Sequence, residues 1–198
     1  MGLIVHSLEN IPKSARRDYF IYLLDYGWHE PISQALRDNF DNMAQIASKS
    51  KAVIIRGTNL GDFQNEVLSW HRINNEDAND LLPALLITNA HPSYFLESNQ
   101  TFSGRRNILR VDNEYKEMKM ILIPFKKFCK STPEVISLIE KIFNDISKEK
   151  GLADFEIAKE MKKGFGHALV DAVVLQPNIS GIGFNFNKII EYFEKGKR

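Results

Sequence analysis

The chain has 198 residues, 43% hydrophobic and 26% charged, which fits one compact domain with an elaboration and excludes a disordered or fibrous protein. Lys and Arg total 26 against 25 Asp and Glu, so no overall field draws the protein to nucleic acid or an anionic membrane. A single cysteine, Cys129, excludes an internal disulfide and a dithiol redox pair, and points to the reducing cytoplasm.

The opening "MGLIVHSLENIP" lacks the basic region and apolar stretch of an export signal, and every apolar run is too short to span a bilayer. The first strong element is Tyr19 to Leu24, "YFIYLL", a short aromatic-rich run stopped by "DYG" and read as a buried strand. From Pro31 to Ser48 the residues Ile32, Ala35, Leu36, Phe40, Met43, Ala44 and Ala47 recur with helical spacing, and Pro31 suits the first turn. "KAVIIRG" reads as a second strand ended by Gly57. "GDFQNEVLSWHRI" then reads as a helix with Asp62 placed to cap it.

"LLPALLITN" is a third short strand, and a polar loop rich in Asn, Ser and Gly follows over residues 90–117. "MKMILIPF" is a fourth strand. With no helix between it and the third, the two are expected to pair antiparallel. Thr132-Pro133-Glu134 opens a helix to about Lys148, with Val135, Leu138, Ile139, Ile142, Phe143 and Ile146 on its inner face. In residues 151–198 the apolar stretch Leu169 to Leu175, the turn "QPNIS" and the alternation Ile182, Phe184, Phe186 predict a β-hairpin, followed by a short helix ending near Lys195. The organisation expected is therefore an α/β core over 1–150, with a mixed sheet flanked by helices, and an extension over 151–198 packed on the same domain.

Over residues 15–148 this order resembles the thioredoxin fold. In that superfamily the first core strand ends in a Trp-Cys-Gly-Pro-Cys turn that opens the first helix; here Trp28-His29-Glu30-Pro31-Ile32 stands in that place. A strand that begins with a cis-proline and continues with aliphatic residues is similar to Leu82-Pro83-Ala84-Leu85-Leu86. The resemblance implies a cis bond at Leu82-Pro83 and a strand lying beside "YFIYLL" or its neighbour. It also implies that an extended partner chain pairs with the backbone of Leu82 in a groove formed by Trp28, His29, Leu82 and Pro83, a strand-addition mode. Disulfide exchange needs a thiolate and a resolving thiol, and His29 and Ile32 stand at those two positions, so the redox activity is absent. Cys129 is read as a structural cysteine, although Lys127 and Lys130 nearby would act to lower its pKa.

The sequence thus favours a redox-inactive binding or regulatory subunit of a multi-protein cytoplasmic system, with a protein partner or a second copy of itself. A prokaryotic defence accessory is one such role. Two other classes stay open. A hydrolytic enzyme would use His29 or His91, with Glu30 or the pair His167 and Asp171 as supporting groups, although none has a known catalytic spacing. A nucleotide or nucleic-acid binder would use an anion patch of Arg105, Arg106, Arg110, Lys126, Lys127 and Lys130. The five histidines are too scattered for a metal motif, and neither a phosphate loop nor a dinucleotide fingerprint is present, so no metal, cofactor or membrane partner is expected.

Overall fold

The computed structural model describes residues 1–14, 16–27, 29–71, 73–74, 81–95, 120–165, 174–175 and 184–185. Its centre is a mixed sheet, built mainly from the short apolar runs that the sequence marks. These are β1 (Gly2–Val5), β2 (Tyr19–Leu24), β3 (Ala52–Gly57), β5 (Ala84–Thr88) and β6 (Met120–Pro124), with a short β7 (Val174–Leu175). The strand order is β1-β3-β2-β5-β6-β7. β1 and β2 each run parallel to β3, whereas β5 is antiparallel to β2 and β6 is antiparallel to β5, as the missing crossover helix required. Every residue of β2, β5 and β6 is buried, which explains their continuous rather than alternating hydrophobicity.

Helices cover both faces. On the face of Tyr19, Ile21 and Ile54 lie α1 (Pro31–Asp38), α2 (Phe40–Lys49), α5 (Thr132–Ser147) and α6 (Glu156–Phe165). On the opposite face α3 (Leu60–Trp70) sets Phe63 against Tyr22, with ring centroids 6.5 Å apart. The short α4 (Phe125–Phe128) follows β6 directly. The inner residues expected for α5, from Val135 to Ile146, are all buried. Leu152, Phe155, Ile157 and Ala158 are buried in the same core, so the start of the 151–198 extension packs onto the domain.

Local chemistry adjusts several expected boundaries. The helix predicted over Pro31 to Ser48 is two helices broken at Asn39, whose side-chain Nδ2 donates 2.8 Å to Ala35 O and so competes with the helical ladder. The cap of α3 is Asn59, not Asp62: Asn59 Oδ1 accepts from the Gly61 and Asp62 amides, and Asn59 Nδ2 donates to Asp62 Oδ2 at 2.6 Å. α5 begins at Thr132 as expected, with Ser131 at the N-cap position, and the Glu134 carboxylate accepts from Lys130 N. Residues 92–95, inside the stretch expected to be an irregular loop, are helical, with Phe95 buried; residues 96–117 of that loop lie outside the described residues.

Of the hairpin expected in the tail, the structure describes two short segments. Val174–Leu175 pairs antiparallel with β6, while β8 (Phe184–Asn185) pairs parallel with β4 (Ile73–Asn74) in a separate two-stranded sheet. The described residues do not pair these two tail segments with each other. The predicted turn and terminal helix lie outside the described residues.

Candidate functional site

Because β2 and β3 are parallel, β5 runs opposite to β2, and β6 runs opposite to β5 and so in the direction of β2, one end of the sheet gathers four chain segments. These are the exit of β2, the entry to α3, the entry to β5 and the exit of β6. The exit of β2 carries the Asp25-to-Glu30 turn. Buried Asp25 accepts from Gly27 N at 3.1 Å through Oδ1, and its Oδ2 forms a short ion pair with Arg37 of α1. Arg37 also donates to Gln34 at 3.0 Å, and Gln34 to Asp38 at 2.6 Å. Removing either partner would leave a charge stranded below the turn, so this network fixes the turn onto α1. Gly27 sits at φ +80 with Leu60 of α3 facing it, a conformation that needs glycine.

The turn is also held from the side. Glu30, the N-cap residue of α1, has its Oε2 2.8 Å from Lys126 Nζ of α4. α4 is in turn joined to the entry of β5, where Phe125 N donates 2.9 Å to Pro83 O. The Leu82-Pro83 peptide bond is cis, and the strand it opens lies beside β2, both as the resemblance implied. The structure therefore brings His29, Glu30, Leu82, Pro83 and Lys126 to one corner.

Exposure sorts these residues further. His29 is exposed, whereas Leu82 is only 3% exposed and Pro83 is buried. Leu82 and Pro83, two of the four predicted groove residues, therefore form a buried floor beneath the exposed His29. Lys127 is exposed. Trp28, Arg105, Arg106, Arg110, His167 and Asp171 lie outside the described residues. Cys129 is buried at the end of α4, and burial, with Glu134 beside it, pushes its thiol up to about 11. The expected lowering by neighbouring lysines is overturned because desolvation of the thiolate dominates.

His91 is far from this corner. β5 is antiparallel to β2 with Thr88 opposite Phe20 and Ala84 opposite Leu24, so His91 falls at the other end of the sheet from His29. There its ring meets Phe20 edge-on at 5.2 Å and its Nδ1 lies 2.9 Å from Ser93 Oγ. His71, which carries no spacing signal in the sequence, is the most enclosed histidine described, 1% exposed against Tyr22 and Phe95. Burial lowers its pKa to about 4. Among the described residues no three His, Cys, Asp or Glu side chains gather as a metal site, and no helix is long and apolar enough to cross a membrane.

The chain matches no family model, no curated protein and no solved structure.

Proposed function

We propose that the chain is a redox-inactive, thioredoxin-like binding or regulatory subunit of a multi-protein cytoplasmic system. Partner contact is made at the corner where the β2–α1 turn, the start of β5 and α4 meet. The observation that carries this is the state of the turn: Asp25 and Arg37 fix it from below, Lys126 fixes it from the side, and His29 stands exposed on it. A side chain presented on a pinned turn loses little freedom on binding, which favours recognition. Further support comes from the strand order, which sets the start of β5 beside the exit of β2. Leu82 and Pro83 set the floor, and His29, Glu30 and Lys126 form the rim a partner meets.

The buried, poorly ionised Cys129 and the absence of any second cysteine support the redox-inactive part. The alternatives draw less support. His91 is packed against Phe20, and Lys126 already faces a carboxylate, which weakens its pull on phosphate.

Capture of the full chain from its native host, followed by mass spectrometry, tests the proposal. We expect a stoichiometric protein partner whose affinity falls about tenfold, the equivalent of ~1.4 kcal/mol, in His29→Ala. The melting temperature should not change, because the side chain is exposed. A partner indifferent to His29→Ala and Lys126→Ala, or a small-molecule product with no protein partner, would sink it.

A further inference from the structure

At α3 and the strand it faces, three buried polar side chains have atoms with no hydrogen-bond partner among the described residues: Tyr22 its hydroxyl, Gln64 both amide atoms, and His71 its Nε2. The protonation state of each is fixed by chemistry on the page. His71 Nδ1 lies 2.7 Å from Val67 O, and a carbonyl only accepts, so Nδ1 carries the hydrogen. The neutral ring then leaves Nε2 as a bare acceptor. Burial holds the Tyr22 phenol protonated, so it retains a hydrogen to donate and lone pairs to offer. The two rings are neighbours, 5.0 Å between centroids at 64°, yet they do not bond to each other. Gln64 lies on the same face of α3, two helical turns before His71.

Native interiors seldom leave such groups unpaired, because each orphan carries its full desolvation cost, and here two of the three belong to neighbouring rings. The pure acceptor sets the missing partner: it must donate to His71 Nε2, and it can at the same time accept from the Tyr22 hydroxyl. A neutral hydroxyl does both with a single oxygen. An ion is excluded by the same pair, since neither group carries a balancing charge and burial of an unpaired ion is far more costly. We propose that the space between α3 and the sheet binds a neutral hydroxyl-bearing guest, either water or a small alcohol, which bridges Tyr22 Oη and His71 Nε2, with the Gln64 amide as a second hydrogen-bonding station.

The conservative variant Tyr22→Phe gives opposite signs with and without a guest. With the guest, Tyr22→Phe removes one anchor, lowers Tm by roughly 2–4 °C, and moves the ¹⁵N resonance of His71 Nε2 toward that of an unpaired imidazole nitrogen. Without it, Nε2 of the wild-type protein already resonates as an unpaired nitrogen, and Tyr22→Phe raises Tm by removing an orphaned buried hydroxyl. Either of these last two results overturns the proposal. The source of the hydroxyl is read on the wild-type protein: a cross-relaxation signal from solvent water to the Tyr22 ring identifies water, and a signal that arises only when ethylene glycol is added identifies a small alcohol.

Discussion

His71 shows how one buried residue sets a property of the whole chain. Its pKa is about 4 in the folded protein against 6.5 in an open chain, because desolvation opposes the imidazolium and outweighs the Val67 carbonyl that favours it. The unfolded chain therefore binds the proton first. The stability from this residue is fully present above pH 6.5 and is lost as pH falls toward 4. That loss is on the order of 3 kcal/mol when complete. Denaturant titrations across this interval should show the decline, and His71→Phe should flatten it; a wild-type protein equally stable at both ends would mean that His71 is not buried neutral. Nothing in "SWHRI" announces this role, since a lone histidine carries no periodic signal. For the same reason sequence alone could propose His91 as a base but could not see it turned against Phe20. The cis bond before Pro83 was an expectation carried by the resemblance, since a proline at the start of a strand does not by itself announce a cis bond.

Elements were read most securely where many residues vote together. β2, β3, β5 and β6 stand out as unbroken apolar runs, and the inner face of α5 follows from six residues at helical spacing. β1 was missed for the same reason in reverse: it is four residues long, lies at the sheet edge, and leaves Ile4 53% exposed, so its signal is weak. The break at Asn39 and the cap at Asn59 turn on single side-chain hydrogen bonds that hydrophobic periodicity does not register. Gly57 marks the junction of β3 and α3 more strongly than its role as a strand terminator suggested. A Cβ added there would lie 2.2 Å from Phe63 Cβ and 2.7 Å from the Asn59 backbone oxygen, so α3 approaches the sheet only because position 57 has no side chain. Gly57→Ala should cost at least ~1–3 kcal/mol, the usual range for overpacking. Calorimetry would reveal the loss as a lower Tm, and an unchanged Tm would mean that α3 can move outward at no cost.

At the scale of the molecule, the division into a core over 1–150 and an extension over 151–198 matches how the hydrophobic signal falls along the chain, but the packing crosses it. Phe155 meets Tyr19 with ring centroids 6.0 Å apart, and the Tyr19 hydroxyl donates 2.6 Å to Lys150 O. Buried Asp145 of α5 accepts from Glu156 N at 2.5 Å and pairs with Lys150, so the first turn of α6 satisfies a carboxylate belonging to the core. The sequence could not show this, because a buried acid and the amide it accepts from leave no pattern in composition or spacing. Truncation after Lys150 removes Leu152, Phe155, Ile157 and Ala158 together with one partner of Asp145. Loss of a single large buried aromatic typically costs about 3–5 kcal/mol, a large share of the 5–15 kcal/mol by which domains are stable. We therefore expect the chain cut after Lys150 to lose cooperative unfolding. Cut after Phe165, it should still melt in one transition, because α6 and its contacts remain. A cooperative transition in the shorter chain would place the boundary where the sequence first put it, and would make α6 a dispensable addition to the core.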